Sequence, residues 1–176
     1  MKEVYVLRHA EKSGDDLTVK GRAQAVALAK RTGFFKAAIS SESNRTKQTA
    51  ELVSGEDCRI DMRANVPNFP ESKMASLQEI QKIHPLGIVG AIWEDDELIE
   101  AARIAGMTMK DLVFESLSDL SENEKALIVS HDGTMIALQK ILNHETFDAV
   151  DHSFGPLEGF IVSEDLATRT FNPRKD

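Results

Sequence analysis

Val4-Tyr5-Val6-Leu7 is followed directly by Arg8-His9, and this junction indicates the architecture of the whole chain. The four apolar residues form an unbroken run instead of alternating with polar ones, which is typical of a strand buried on both faces of a parallel sheet. Ligands of open α/β sheets bind beyond the carboxyl ends of the strands. Arg8 and His9 therefore occupy positions where a binding site is expected.

The first strand is followed by a predicted helix, and then by a second strand and a second helix. Thr18 can cap a helix that closes near Gly33, because threonine is a good N-cap and glycine a frequent C-cap. Ala37-Ala38-Ile39-Ser40 is predicted to be the second strand, and Ser43 or Asn44 can cap the helix behind it. The strand and helix unit is thus repeated.

The same alternation returns in the last third of the chain. Ala126-Leu127-Ile128-Val129 is predicted to be a third buried strand with a helix after His131, and a hairpin around Phe154 to Phe171 is expected to complete the sheet. Strands that alternate with helices indicate an α/β fold. We therefore predict a three-layer α/β/α sandwich with a mostly parallel central sheet.

Between these regular parts lies a segment, residues 58–107, in which the pattern loosens because three prolines and three glycines interrupt it. We interpret it as a cap-like insertion over the sheet edge, within a single domain formed by residues 1–176. Two short helices are expected in it, around Met74 to Ile83 and around Asp95 to Ala105. Thr108 resembles the first residue of a capping box, so a further helix is predicted to begin there.

The charge of the chain restricts its partners. The 21 Lys and Arg residues are outnumbered by 29 Asp and Glu residues, which gives a net charge of −8, and a chain this acidic is a poor general binder of nucleic acid. The single cysteine cannot form an internal disulfide, and no apolar run is long enough to span a membrane. We expect a cytoplasmic protein without nucleic-acid or membrane partners, and the pattern predicts no oligomeric state.

Two arginines and two histidines follow the three clearest strands. Arg8 and His9 come after the first strand, Arg45 lies in the first turn of the helix after the second, and His131 comes after the third. Parallel strands bring these four side chains to one edge of the sheet, beside helix N-termini that also favour anions. The sequence therefore predicts a pocket for a phosphoryl group.

The residues around these positions resemble the histidine phosphatase superfamily, whose fold is that of the phosphoglycerate mutases. The resemblance rests on four separated motifs in the correct order, namely Leu7-Arg8-His9-Ala10-Glu11, Leu17-Thr18 with Gly21 and Gln24-Ala25, Ser43-Asn44-Arg45-Thr46-Lys47-Gln48-Thr49-Ala50, and Val129-Ser130-His131-Asp132-Gly133. One departure is Ala10, where the family usually has glycine.

The resemblance implies that His9 is the nucleophile and forms a phosphohistidine, while Arg8, Arg45 and His131 hold the phosphoryl oxygens. A neutral imidazole is a competent nucleophile near neutral pH, and arginine pairs phosphate oxygens bidentately. No metal or other cofactor is expected. The leading hypothesis is a phosphomonoesterase that acts on a small phosphorylated metabolite.

Three other functions would use the same pocket. A phosphohistidine protein phosphatase fits the small size, and it needs no strong acid because imidazole leaves easily. A phosphoglycerate-type mutase is disfavoured by the short chain. A non-catalytic module that binds phosphorylated ligands is disfavoured because the nucleophile, His9, is present.

The proton donor to the leaving oxygen is less clearly marked. Many relatives supply a glutamate from a motif after the second arginine, and the nearest match, residues 64–70, has Val66 at that place. Another branch of the superfamily uses the aspartate directly after the second histidine, which here is Asp132. We predict Asp132 as the general acid with Glu71 as the alternative, unless Asp132 only caps the helix that follows.

Overall fold

The computed structural model describes residues 1–174. Its strands are β1 (Glu3–Arg8), β2 (Lys12–Ser13), β3 (Asp16–Leu17), β4 (Ala37–Ser40), β5 (Arg59–Ile60), β6 (Lys125–Ser130), β7 (Gly159–Ser163) and β8 (Thr168–Phe171). Its α-helices are α1 (Val19–Thr32), α2 (Asn44–Ser54), α3 (Glu71–Ile83), α4 (Gly87–Trp93), α5 (Asp96–Asp119) and α6 (Asp132–Leu142), and Met62–Ala64 forms one 3₁₀ turn.

Six of the strands form one sheet in the order β5-β4-β6-β1-β7-β8. The four strands β5, β4, β6 and β1 are parallel, whereas β7 and β8 run antiparallel to their neighbours. Strand β1 lies at the centre, where Val6 is paired with Ile128 on one side and Phe160 on the other. The mostly parallel sheet is confirmed, and β7 with β8 is the expected final hairpin.

Both faces of the sheet are covered by helices, which explains why the central strands are apolar without alternation. On one face Val4 and Val6 pack with residues of α5 and α6 such as Met109 and Met135. On the other face Leu7 packs with residues of α1 and α2. The predicted three-layer α/β/α sandwich is therefore confirmed.

The helix boundaries near the N-terminus follow from their caps. The Thr18 hydroxyl accepts from the backbone N–H of Gly21 at 2.9 Å, and the N–H of Gly33 donates to Ala29 O. Helix α1 thus begins and ends where the sequence predicts. For α2, the N-cap is Ser43 and not Asn44, and its side chain makes no capping hydrogen bond because it faces the functional site.

Residues 58–107 contain more regular structure than the sequence indicates. Strand β5 extends the main sheet beside β4, and α3 begins at Glu71, ahead of the expected start. Helix α4 is not anticipated by the sequence analysis, because Gly90 suggests a break there. A β-carbon at Gly90 would lie 1.7 Å from the ring of His84, so this glycine is needed for a close side-chain contact. The assignment of the segment to a cap stays a prediction.

The predicted helix start at Thr108 is wrong. Helix α5 runs from Asp96 to Asp119 without interruption, and the Thr108 hydroxyl donates to Ile104 O at 2.9 Å inside it. The physical reason lies in Gly106, which resembles a helix break in the sequence. A β-carbon there would lie 2.8 Å from the backbone of Ala137, so Gly106 allows α5 to pack closely against α6.

Among the helices of residues 1–174, none combines the length and the apolar character that a membrane crossing requires.

Candidate active site

His9 follows the last residue of β1 and is held by the backbone on both sides. Its N–H donates to Ser130 O at 3.3 Å, and its ring Nδ1 lies 2.8 Å from Ala10 O. A carbonyl oxygen can only accept, so Nδ1 carries the proton and Nε2 keeps its lone pair. Ala10 itself is fully buried, and its N–H donates to Thr49 Oγ1 at 3.0 Å. This turn therefore fixes the ring with Nε2 available for attack.

His131 comes from the end of β6 and lies beside His9, with 5.7 Å between the ring centroids. Its Nε2 is 2.9 Å from Ser41 Oγ and 3.2 Å from Ser43 Oγ, and Arg45 Nη2 lies 3.4 Å from its Nδ1. Because arginine can only donate, Nδ1 of His131 is the unprotonated nitrogen in this arrangement. Ser41 is not predicted from the sequence, although its position directly after β4 places it at the same edge.

Both imidazoles are neutral at neutral pH. Burial lowers the pKa of His9 to about 4, with further lowering by the charges of Arg8 and Arg45 against the opposing hydrogen bond to Ala10. Burial lowers the pKa of His131 to about 3, and the Arg45 charge is the next largest cause. A neutral His9 has the free electron pair that nucleophilic attack requires.

The two arginines are each held at one end. Arg8 Nη1 donates to Phe154 O and lies 3.4 Å from the Asp132 carboxylate. Arg45 Nη1 donates to Asp15 Oδ1 at 2.7 Å. The Nε atoms of both arginines are buried and have no hydrogen-bond partner within residues 1–174. Buried donors without partners are rare in folded proteins, and an oxyanion between the two guanidinium groups would satisfy both.

Asp132 is the first residue of α6, and the N-cap position belongs to His131. The interpretation of Asp132 as a cap is therefore wrong. Its Oδ1 accepts from the N–H of Phe154 at 2.8 Å, and burial raises its pKa against the opposing charge of Arg8. Glu71, the alternative acid, is exposed at the start of α3 and does not line the cavity.

These side chains open into a cavity of about 350 Å³. One end, the arginine end, is formed by the two arginines, the two histidines and Asp132, with Lys12 beside them. Its other walls come from the first residues after the 3₁₀ turn, from α3 and from α4. The lining residues are Arg8, His9, Lys12, Arg45, Val66, Pro67, Phe69, Met74, Leu77, Gln78, Gln81, Ile88, Ile92, His131, Asp132 and Gly133.

Within residues 1–174, no three histidine, cysteine, aspartate or glutamate side chains are grouped closely enough to hold a metal ion. The positive charge of the site comes from Arg8, Arg45 and Lys12.

The comparisons with known proteins identify the family. The family model of the Histidine phosphatase superfamily (branch 1) matches residues 4–154. The chain therefore belongs to the histidine phosphatase superfamily. None of the curated proteins matches the sequence significantly.

Several solved structures share the fold over nearly their whole length. A mycobacterial glucosyl-3-phosphoglycerate phosphatase, solved in complex with VO3, is 20% identical at a TM-score of 0.72, covering 97% of this chain and 98% of its own. Phosphoserine phosphatase from Entamoeba histolytica, in complex with 3-phosphoglyceric acid, is 16% identical at a TM-score of 0.70, covering 98% and 96%. YhfR from Bacillus stearothermophilus is 20% identical at a TM-score of 0.67, covering 97% and 95%.

Proposed function

We propose that the protein is a phosphomonoesterase that transfers the phosphoryl group of a small phosphorylated metabolite to His9 and then to water. The observation that carries this proposal is the pair of buried, unpartnered Nε–H groups of Arg8 and Arg45 beside a neutral His9. A phosphoryl group supplies the oxygens that these donors lack. Two structurally similar proteins are named as phosphatases of small phosphorylated molecules, which supports the same substrate class here.

Binding of the phosphoryl group follows from charge and geometry. Each guanidinium already uses one edge for a protein partner, and its Nε–H remains for a phosphate oxygen. The N-termini of α2 and α6 add partial positive charge at the same edge of the sheet. Because these donors are fixed before the substrate arrives, they stabilise the charge of the transition state without reorganisation.

In the first step, the lone pair of His9 Nε2 forms a bond to phosphorus while the bond from phosphorus to the ester oxygen breaks. The departing oxygen takes up a proton and leaves as an alcohol. In the second step, water attacks the phosphohistidine, its oxygen bonds to phosphorus as the nitrogen–phosphorus bond breaks, and the proton that the water loses passes to the group that gave one in the first step. Inorganic phosphate leaves and His9 returns to its neutral form.

Asp132 is the proposed source of the proton. Burial already raises the pKa of its carboxyl group, and the negative charge of a bound phosphate would raise it further. The same carboxylate also contacts Arg8 at 3.4 Å. We therefore give Asp132 two roles, in which it orients Arg8 in the free protein and protonates the leaving oxygen in the complex.

A phosphohistidine protein phosphatase is the second candidate, and it is favoured by Val66. This apolar residue stands where many relatives carry the glutamate acid, and it lines the cavity. An imidazole leaving group departs with less help from an acid than an alcohol does. This candidate predicts faster turnover of phosphoimidazole than of any alkyl phosphate.

Trapping of the phosphoenzyme tests the main proposal. After millisecond mixing with ³²P-labelled 4-nitrophenyl phosphate and an alkaline quench, we expect a labelled protein that loses its label in acid. Peptide mapping should place the label on His9. His9→Ala should abolish label and turnover, whereas His144→Ala, at an exposed position that does not line the cavity, should keep both. Nitrophenol release without labelled protein, or full activity of His9→Ala, would contradict the mechanism.

A further inference from the structure

The part of the cavity formed by α3, α4, the segment after the 3₁₀ turn and Gly133 has a distinct chemistry. Its walls are ten residues that all carry uncharged side chains or none, and they are Val66, Pro67, Phe69, Met74, Leu77, Gln78, Gln81, Ile88, Ile92 and Gly133. Eight of them are apolar and two are amides. We call this part the leaving-group pocket, because a phosphate held by Arg8 and Arg45 directs its ester substituent away from the sheet edge.

Helix α3 forms one wall of the leaving-group pocket through a single face. Met74, Leu77, Gln78 and Gln81 are spaced by three and four residues, so they lie side by side along the helix. Leu77 is buried and Gln81 is half-buried, whereas Met74 and Gln78 are exposed at the edge of this face. The charged neighbours on the same helix, such as Glu79 and Lys82, are exposed and do not line the cavity.

The two amides are the only polar side chains in this pocket, and they are free to bind a ligand. The side-chain amides of Gln78 and Gln81 have no hydrogen-bond partner among residues 1–174. Each amide presents one acceptor and two donor hydrogens. They can therefore bind hydroxyl or carbonyl groups of a neutral substituent, while the apolar walls contact its carbon atoms.

Among residues 1–174, Lys12 is the one cationic side chain that lines the cavity besides the arginines, and its charge acts at the arginine end. It is exposed at the cavity mouth, and its charge contributes to the lowered pKa of both His9 and His131. A second anionic group on the substrate would thus enter a pocket without a counter-charge, in a protein of net charge −8. Burial of an unpaired charge is costly.

We infer that the substrate is a phosphomonoester of a small uncharged alcohol, largely apolar and with hydrogen-bonding groups for Gln78 and Gln81, and not one with a second phosphate or a carboxylate. The cavity volume of about 350 Å³ is at the lower end of the roughly 300 to 1,000 Å³ usual for small-molecule sites, which limits the size of the alcohol. This inference rests on the proposed function and defines the substrate class of the same site.

Binding of two matched phosphonates tests this inference without any need for turnover. Benzylphosphonate and 4-carboxybenzylphosphonate share the same anchor and ring and differ by one carboxylate at the far end. By calorimetry on the wild-type protein, we expect benzylphosphonate to bind about tenfold more tightly or better, since the carboxylate would lie against uncharged walls without a counter-charge. Equal affinities, tighter binding of the carboxylated compound or failure of both to bind would overturn the inference.

A positive charge placed on the α3 face provides a second test of the leaving-group pocket. Gln81→Lys should bring the two dissociation constants together or reverse their order, because the new ammonium group pairs with the carboxylate. Ser76→Lys puts the same charge on an exposed position of α3 that does not line the cavity, and it should leave the ratio unchanged. An equal change in both variants would indicate a general charge effect and overturn the role of the pocket.

Turnover of 4-nitrophenyl phosphate separates the two proposals. Hydrolysis of this compound together with equal phosphonate affinities would refute the leaving-group pocket alone. Selective phosphonate binding without any hydrolysis would refute the phosphatase and leave the selectivity of the cavity standing.

Discussion

Arg45 Nη1 donates to Asp15 Oδ1 at 2.7 Å, and the other oxygen of the same carboxylate accepts from the N–H of Asn44 at 3.1 Å. Asp15 lies in the short turn between β2 and β3, and Arg45 lies in the first turn of α2. The turn is held to α2 a second time, because the Gln48 side chain accepts from Leu17 N and donates to Asp16. Asp15 thus fixes the guanidinium that is proposed to bind phosphate.

Asp15→Asn should lower kcat/KM by about three- to tenfold, because the asparagine has one acceptor oxygen in place of two and no charge, and so orients Arg45 less well. The pair is partly exposed, so the freed positive charge is screened and does not compensate. The kcat/KM for 4-nitrophenyl phosphate and the affinity for vanadate should both fall, and Asp15→Glu should restore part of each. Asp57→Asn, an exposed acid in a loop, is the matched control. Unchanged vanadate affinity in Asp15→Asn would refute the positioning role.

Asp132→Asn should slow the hydrolysis of alkyl phosphates about a hundredfold or more but affect 4-nitrophenyl phosphate far less, since general acid catalysis matters most for poor leaving groups. The asparagine can still accept from Phe154 N, so the loop contact is kept. The measurement is kcat/KM for both substrates in parallel. Equal losses of kcat/KM for both substrates would show that Asp132 acts through its contact with Arg8 and is not the acid. The same comparison on Glu71→Gln would then test the alternative acid.

Vanadate should inhibit competitively, and a chelator should have little effect. Vanadate adopts the five-coordinate geometry of phosphorus in the transition state, and two arginines supply the positive charge that a metal would otherwise bring. Inhibition constants for wild type and Arg45→Ala should differ by at least about tenfold. Activity lost in EDTA and restored by a divalent ion would contradict this expectation.

Stability should fall as the pH is lowered from about 6.5 towards about 4, because His9 is buried neutral with a pKa of about 4. In this window the unfolded chain binds a proton that the folded state resists, so the free energy of unfolding rises with pH. The effect is about 1.4 kcal/mol for each unit of pKa difference. The pKa of His131 is also lowered. Urea unfolding at several pH values should therefore show a weaker dependence of the free energy of unfolding on pH for His131→Gln. His144→Asn, at an exposed site, should keep the wild-type slope.

Gly106→Ala should destabilise the fold by about 1 to 3 kcal/mol, the usual range for overpacking. The new methyl group would lie 2.8 Å from the backbone of α6 at Ala137 and Leu138, where neither atom can rotate away. Thermal or urea unfolding measures the change. Ser118→Ala, exposed on the same helix, should stay within about 0.5 kcal/mol of wild type. A stabilised Gly106→Ala would show that α5 and α6 separate at little cost.

The sequence predicts the central strands β1, β4 and β6 well because their apolar runs are fixed by burial on both faces of the sheet, whereas the two-residue strands β2, β3 and β5 have no such run. It also predicts which four side chains follow those strands. It fails at Gly90 and Gly106, since a glycine required by a close tertiary contact has the same appearance in the sequence as a helix break. Ser41 is missed for a related reason, because a serine acquires its role only from the imidazole placed against it.

The position of β1 has a consequence for how the protein is made. This strand is synthesised long before its two neighbours, β6 and β7, which begin at Lys125 and Gly159. Until those residues leave the ribosome, a short apolar strand has both hydrogen-bonding edges open to other chains. The nascent polypeptide should therefore be prone to aggregation through most of translation, and its dependence on chaperones should be greatest just before the last strands emerge.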